Sequence, residues 1–183
     1  MPENPIPLSV SGPLIPHLLD VVSNLISGEL ILGGGLGIQL KQLELARRGL
    51  KTLIEVVPPS RATQDIDFFL RIELWVQKER GQSVRAMLDR LGYGVYSQKW
   101  QFGKPFDPLF PDHKVKIDLL ARHPHADEPV QMRNFRVGTK SGVDLHGYGT
   151  PEAFAIEDRP RPILLSGNRR AIRRPSNGKG EQT

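Results

Sequence analysis

Two aspartates separated by a single residue are the clearest chemical signal in this 183-residue sequence. Asp65 and Asp67 flank Ile66 and lead directly into a Phe-Phe-Leu segment that is typical of a β-strand. Because side chains at positions i and i+2 of a strand point the same way, both carboxylates are expected on one face, about 6–7 Å apart. Carboxylates so placed suit a hard, oxygen-preferring cation such as Mg²⁺.

A third carboxylate, Asp118, lies in a later strand-like segment, residues 114–121. The apolar residues of that segment alternate with Lys116, Asp118 and Leu120, which share the other face. If this strand pairs beside the first, Asp118 joins the same site. Three acids in this arrangement can hold two metal ions that activate an attacking oxygen and steady a triphosphate during in-line displacement.

A glycine triplet, Gly33, Gly34 and Gly35, lies between a short apolar run, residues 30–32, and an amphipathic segment that ends at Gly49. This pattern predicts a strand, a tight turn and a helix. Glycine lets the backbone approach a phosphate closely, and the N–H groups that begin a helix favour negative charge. An Asp-x-Asp pair is often only a solvated strand edge, and a glycine triplet is often only a turn. Their combination in this order is more specific.

The segments LILGGGLGIQL, RATQDIDFFL and KVKIDLLA together resemble the nucleotidyltransferase fold superfamily, in particular the AbiEii/AbiGii-type toxin nucleotidyltransferases. The resemblance covers roughly residues 20–158 and is sharpest at Arg61, Thr63, Asp65 and Asp67. It implies an enzyme that uses Mg²⁺ or Mn²⁺ and an NTP. The biological setting that it implies is a toxin–antitoxin or phage-defence system in the cytoplasm, with RNA such as tRNA, or a protein, as acceptor and an antitoxin as partner.

The resemblance also implies a role for each site residue. Gly33, Gly34 and Gly35 would form the phosphate-binding turn, while Arg61 and Thr63 would steer phosphate or orient the Asp-x-Asp strand. Asp65 and Asp67 would be metal ligands. Asp118 would be the third carboxylate, acting as a metal ligand or as a general base. The alternative for Arg61 is an ordinary surface arginine.

Two departures from the family pattern support a different class of function. The 29 residues between Gly35 and Asp65 exceed the family's usual spacing, and a further helical region that often brings a lysine to the active site is not evident. The missing helical region favours a first alternative, a catalytically degenerate member that binds nucleotide or RNA, whereas the intact Asp65, Asp67 and Asp118 argue against it. A purely structural partner protein is the second, and it predicts no response of the melting temperature to Mg²⁺ or NTP.

Composition limits the remaining choices. Hydrophobic residues are 38% and charged residues 25% of the chain, which is typical of one globular domain. No apolar run approaches the roughly 18–20 residues of a membrane span, so no membrane association is expected. The chain has no cysteine, which excludes disulfides, a thiol nucleophile and thiolate-bound metals. Any metal must be held by oxygen or imidazole.

The positive charge is concentrated at the C-terminal end. Of the net charge of +5, residues 159–183 carry seven basic residues against Glu181, a net +6, which leaves −1 for residues 1–158. We therefore expect a nucleotidyltransferase-like domain over residues 1–166 and a basic, flexible tail over 167–183. The tail could bind nucleic acid through its phosphates, or it could simply be a solubilising end.

The elements that would position the aspartates predict an α+β fold, a short mixed sheet with helices packed on one face. Helical spacing is found near residues 18–26, 36–45 and 83–91, the last with Ser83 as N-cap. Residues 93–102 and 114–121 read as the strands of a long hairpin interrupted by Gly103, Pro105, Pro108 and Pro111. Edge strands are expected near 132–137 and 143–145, and a helix start at Thr150.

Several other residues have a chemical and a structural interpretation. Three histidines near two acids could suggest zinc, but a solvated loop is the favoured interpretation. Four aromatic residues could stack on bases, but positions in the core are favoured. Two glutamates on polar helix positions are assigned no chemistry. These residues are His113, His123 and His125 with Asp112 and Asp127; Trp75, Tyr93, Tyr96 and Trp100; and Glu44 and Glu73.

Overall fold

A computed structural model of the chain describes residues 8–9, 12–24, 30–50, 65–107, 109–138, 145–158 and 165–166. These residues form four helices and a curled mixed sheet, so the predicted α+β class is confirmed. No helix within these ranges has the length and apolar character needed to span a membrane.

Strands and helices alternate up to the third helix, and after the fourth helix the described residues form six strands in succession. The helices are α1 (Ile15–Val22), α2 (Gly34–Arg47), α3 (Ile72–Val76) and α4 (Lys78–Arg90), with a short 3-10 helix at Pro151–Ala153. The strands are β1 (Leu8–Ser9), β2 (Leu30–Leu32), β3 (Asp65–Leu70), β4 (Gly94–Val95), β5 (Gln101–Asp107), β6 (Phe110–Arg122), β7 (Gln131–Arg133), β8 (Arg136–Gly138), β9 (His146–Thr150) and β10 (Leu165–Ser166).

The long strand β6 organises the main sheet, whose order is β2-β3-β6-β9-β8-β7. Strands β3, β6 and β9 are parallel to one another, whereas β2, β8 and β7 join their neighbours antiparallel. Strand β5 pairs antiparallel with the first part of β6, and β4 pairs with β5. Strands β1 and β10 form a separate parallel pair.

Alternation along β3 and β6 separates the core from the opposite face of the sheet. Ile66, Phe68 and Leu70 of β3 are buried, as are Val115, Ile117 and Leu119 of β6. They belong to one hydrophobic cluster that also contains buried hydrophobic residues from all four helices. The intervening residues, Asp65, Asp67 and Phe69 of β3 and Lys116, Asp118 and Leu120 of β6, are half-buried and share the opposite face, which carries both polar and apolar side chains.

Two sequence predictions about element boundaries are wrong. Helix α4 begins at Lys78 rather than at Ser83, whose hydroxyl donates to the Glu79 carbonyl oxygen (2.9 Å) inside the helix. Pro111 lies within β6, and Gly103 and Pro105 lie within β5, rather than in a connection. Strand β4 pairs with β5 two residues before Pro105, at Gly103, so this proline lies beyond that pairing, where its missing N–H breaks no bond to β4.

Some predictions fall outside the described residues. These are the site residues Arg61 and Thr63, the strand-like run 53–57, residues 25–26 of the first predicted helix, Pro108, residues 143–144 and the basic tail 167–183. The edge strands predicted near 132–137 are observed as the hairpin β7–β8. The helix start predicted at Thr150 is a 3-10 turn.

Candidate functional site

Strands β3 and β6 bring two of the three predicted carboxylates side by side. In their parallel register Asp67 is the partner of Asp118, and Asp65 is the partner of Lys116. The buried residues between them place all four on the same, half-buried face. The predicted sharing of one face by the three aspartates is therefore confirmed.

The surroundings of the two paired carboxyl groups disfavour their ionised forms. Burial raises the pKa of Asp67 above its ordinary value, and the negative charges of Asp118 and Asp65 raise it further. Burial also raises the pKa of Asp118, although a hydrogen bond from Gln101 and the charge of Lys116 act in the other direction. Negative charge is thus concentrated where little water screens it, a condition that a bound cation would relieve.

The oxygens of the aspartates differ in their partners. Gln101 Nε2 donates to Asp118 Oδ2 at 3.4 Å, while Asp118 Oδ1 is shielded from solvent and meets no hydrogen-bond donor in the described part of the chain. Asp65 Oδ1 lies 3.8 Å from Lys116 Nζ. Within the same part, no three His, Cys, Asp or Glu side chains already lie close enough to hold a metal ion. Asp67 and Asp118 therefore fit a cation, whereas Asp65 is engaged by Lys116.

The glycine turn packs directly on the Asp-x-Asp strand. The Gly33 N–H donates to the Asp67 carbonyl oxygen at 2.9 Å. Gly34 has φ +57°, and a Cβ there would lie 1.7 Å from Asp67 Oδ2. A Cβ on Gly33 would lie 2.5 Å from the Phe69 ring, and Gly35 follows as the second residue of α2. Only glycine at position 34 allows α2 to begin against the Asp67 carboxylate.

A cleft of about 380 Å³ opens beside this turn. Its floor is a row of three side chains from adjacent parallel strands, Phe69, Leu120 and Tyr148, which are partners in register. This row lies next to the row that holds Asp67 and Asp118. The volume is within the range of small-molecule sites. The full lining is Gly34, Asp67, Phe69, Leu120, Tyr148, Thr150, Glu152, Ala153 and Ile156.

Sequence reasoning missed the residues of the cleft that follow β6. Thr150 and Glu152 were expected only to start a helix, and Tyr148 was not singled out. The available signal was the sequence Gly-Tyr-Gly: a Cβ on Gly147 would lie 2.5 Å from Trp75, and one on Gly149 would lie 3.1 Å from Met132. Tyr148 is thus a large side chain between two positions with no room for one.

The buried Arg122 holds residues 151–158 in place, and three of these residues form the far wall of the cleft. The Arg122 guanidinium donates from Nε to Glu157 Oε2 (2.9 Å) and from Nη1 to Glu128 Oε2 (2.8 Å), with a second contact from Nη2 to Glu128. The other oxygen of Glu157 accepts the Ile72 N–H (2.8 Å). The hydrogen bonds from Arg122 lower the pKa of Glu128 to about 2. Residues 151–158 are thereby tied to β6 and α3.

We expect Arg122→Met to reduce the free energy of unfolding by about 3–5 kcal/mol, because it leaves two shielded carboxylates without their cation. The matched control is Arg85→Met, which removes the ion pair that Arg85 forms with the half-exposed Asp89 one turn along α4. That change should cost about 1 kcal/mol or less. Urea unfolding of both variants measures the difference, and equal costs would show that Arg122 does not anchor the wall.

The aromatic residues divide between the core and the surface. Trp75 and Tyr93 are each 1% exposed, which confirms the core interpretation for them. For Tyr96 it is wrong: the ring is 43% exposed and lies under the ammonium groups of Lys114 (5.0 Å) and Lys116 (5.4 Å). Tyr96 belongs to a turn before β5, which the apolar alternation did not reveal.

Two further expectations about polar residues are corrected. Glu44 was placed on a polar helix face, but it is buried between Lys41 (3.4 Å) and Arg48 (3.0 Å), its ion-pair partners. His113 is an exposed residue of β6 rather than of a loop. Its ring stacks on Phe110, with centroids 6.1 Å apart.

No protein-family model, no curated protein and no solved structure matches this chain. Function therefore has to be inferred from the residues of the cleft.

Proposed function

We propose that this protein is a Mg²⁺-dependent nucleotidyltransferase that moves a nucleotidyl group from an NTP to an acceptor hydroxyl or phosphate. The observation that carries the proposal is the pairing of Asp67 with Asp118 in neighbouring strands, with Gly34 packed against the first of them. On this proposal the sheet of β2, β3 and β6 is the counterpart of the nucleotidyltransferase-like sheet. The sequence resemblance at Arg61, Thr63, Asp65 and Asp67 adds support.

The start of α2 is the proposed phosphate site. This helix has 14 residues, and its first N–H groups have no carbonyl partner within the helix, so they carry partial positive charge toward the cleft. Gly34 also lines the cleft itself. A triphosphate could approach closely there, provided that the adjacent carboxylate of Asp67 is neutralised.

Mg²⁺ or Mn²⁺ would be held by Asp67 and Asp118, and Asp65 would join them when the cation competes with Lys116. All three supply carboxylate oxygens, the ligands that Mg²⁺ prefers. When bound, the cation supplies charge neutralisation for the triphosphate.

Asp118 is the residue that we assign as general base. Its Oδ1 is shielded from solvent and meets no donor among the described residues, so that oxygen is free to accept a proton. It would take the proton of the acceptor hydroxyl as that oxygen bonds to the α-phosphorus. The bond from the α-phosphorus to its bridging oxygen breaks, and pyrophosphate leaves.

The acceptor and the biological setting rest on the resemblance alone. RNA such as tRNA, or a protein, would be the acceptor, and Arg61 and Thr63 would steer its phosphate or that of the NTP. The setting would be a cytoplasmic toxin–antitoxin or phage-defence system with an antitoxin partner.

One observation favours a second candidate, a nucleotide- or RNA-binding protein of the same fold without catalysis. The Lys116 ammonium lies 3.8 Å from Asp65 and neutralises one of the carboxylates that would otherwise face a cation. Such a protein would bind NTP in the cleft without transferring it.

The test is incubation of the full chain with each of the four NTPs, labelled at the α-phosphate, together with Mg²⁺ or Mn²⁺ and total RNA or protein. We expect label on an acceptor, lost when the cation is chelated. Label at the γ-phosphate should not transfer, which separates nucleotidyl from phosphoryl transfer. NTP binding without any transfer would favour the second candidate, and the absence of both would reject both.

A further inference from the structure

Three aromatic rings from distant segments meet beside the cleft. The Trp100 and Tyr148 centroids are 5.3 Å apart at 41°, and those of Tyr148 and Phe135 are 6.0 Å apart at 30°. Trp100 precedes β5, Tyr148 is in β9, and Phe135 is in the turn between β7 and β8. Tyr148 is 36% exposed and Phe135 is 55% exposed, so neither ring is placed there by burial in the core.

The Phe135 ring is held beside Tyr148 by a strained turn. Asn134 (φ 48°) and Phe135 (φ 59°) are the two residues of the β7–β8 hairpin turn, and both have left-handed backbones. Asn-Gly is the favoured pair for such a turn, and a residue with a Cβ, such as phenylalanine, is sterically disfavoured in the left-handed region. The Phe135 carbonyl oxygen accepts the Gly149 N–H at 2.6 Å, which ties the turn to β9. A strained, exposed aromatic residue is a reason to look for a ligand.

Tyr148, the central ring, lies where the base of a nucleotide would be if its phosphates lay at the proposed phosphate site. Tyr148 is the partner of Leu120, which follows Asp118 by two residues, about 6–7 Å along β6. Tyr148 and Gly34 line the same cleft. An NTP with its phosphates at Gly34 and the aspartates would therefore lay its base on the floor that Tyr148 forms. Thr150, which donates to the Glu152 carboxylate, lies on the wall where a base edge would be.

We propose that Trp100, Tyr148 and Phe135 form a stacking platform for a nucleobase. The proposal rests on the proposed function, because that function brings a nucleotide into the cleft. The base could belong to the NTP or to an unpaired nucleotide of an RNA acceptor. Stacking on aromatic side chains strengthens nucleotide binding and tolerates any base, because every base has a flat aromatic face.

Two variants test the platform. Tyr148→Ala removes the central ring, and Phe135→Gly removes the outer ring while giving the turn its favoured Asn-Gly sequence, so this second variant should be at least as stable as the parent. The matched control is Phe110→Ala. Phe110 is 59% exposed and lies eight positions before Asp118, about 26 Å along β6.

The readout is isothermal titration calorimetry with ATP, with tripolyphosphate and with a short single-stranded RNA, and tryptophan fluorescence is recorded in the ATP and RNA titrations. The chain has two tryptophans and Trp75 is 1% exposed, so quenching by a base reports on Trp100. We expect Tyr148→Ala and Phe135→Gly to weaken ATP or RNA binding about 10-fold, with tripolyphosphate binding and the Phe110→Ala control unchanged. Loss for ATP alone assigns the base to the NTP, and loss for RNA alone assigns it to the acceptor.

Other outcomes separate this proposal from the proposed function. Unchanged affinity for both ATP and RNA, equal losses for tripolyphosphate, or no binding of either ligand by the parent chain would each overturn the platform. If label transfer continues under those conditions, the enzyme assignment stands without the platform. If base-dependent binding is seen and no label is transferred, the platform stands and the enzyme assignment fails.

Discussion

Asp67→Asn and Asp118→Asn are each expected to reduce nucleotide transfer at least about 100-fold while the protein stays folded. Asparagine keeps the shape of the side chain but removes the charge that would hold the cation. Since burial and the charge of a neighbouring carboxylate raise the pKa of both carboxyls, removing one charge should leave the melting temperature unchanged or slightly higher. Mg²⁺ should raise the melting temperature of the parent and of neither variant.

The control for these variants is Asp89→Asn, on α4. Its carboxylate is half-exposed and pairs with Arg85 one turn away, so transfer should be unchanged. Full transfer by Asp67→Asn or Asp118→Asn would contradict the site. Unfolding of either variant would show that the aspartates are structural.

The shared face of the aspartates could be predicted because it depends on local periodicity. Asp65 and Asp67 alternate with buried residues of β3, and Asp118 alternates with buried residues of β6. The register could not be predicted. That Asp67 rather than Asp65 is the partner of Asp118 follows from how a parallel crossover docks, and this depends on the packing of the intervening helices. The pairing of Asp65 with Lys116 follows from the same register.

The residues on the far side of the cleft could not be predicted from the sequence, because their position also depends on long-range packing. Tyr148 and Glu152 lie more than 80 residues after Asp65 in the chain, and no local pattern links them to it. The turn at Asn134 and Phe135 could not be predicted either. Phenylalanine is not a typical turn residue, and its left-handed backbone here is one that it rarely adopts. Local rules fail at this turn, which is where the proposed platform lies.

The burial of two charged residues, Glu44 and Arg122, could not be predicted from the sequence either. Glu44 has the sequence position of a solvent-facing helix residue, and Arg122 directly follows the apolar run 119–121 at the end of β6. Each is buried together with oppositely charged partners. Glu44 pairs with Arg48, four residues later, and Arg122 pairs with Glu128 and Glu157. Charged residues are seldom buried without partners, so sequence reasoning defaults to exposure.

Gly34→Ala is expected to lower the free energy of unfolding by about 2–4 kcal/mol and to weaken nucleotide binding. Two destabilising contributions, backbone strain and a steric collision, add to each other. Alanine strains a left-handed backbone, by about 1–2 kcal/mol, and its Cβ would collide with Asp67 Oδ2. Gly49→Ala measures the first term alone, because Gly49 has a similar φ of +64° and a Cβ there would meet no atom of the described chain within 4 Å.

A double-mutant cycle isolates the collision. In an Asp67→Ala background the Asp67 oxygen at 1.7 Å and carbon at 2.6 Å from the new Cβ are gone, and the Asp67 Cβ remains at 3.1 Å. The cost of Gly34→Ala should then fall toward that of Gly49→Ala, a coupling of at least about 1 kcal/mol by urea unfolding. Equal costs for Gly34→Ala in both backgrounds would mean that α2 does not begin against Asp67, and the proposed phosphate site would lose its position beside the carboxylates.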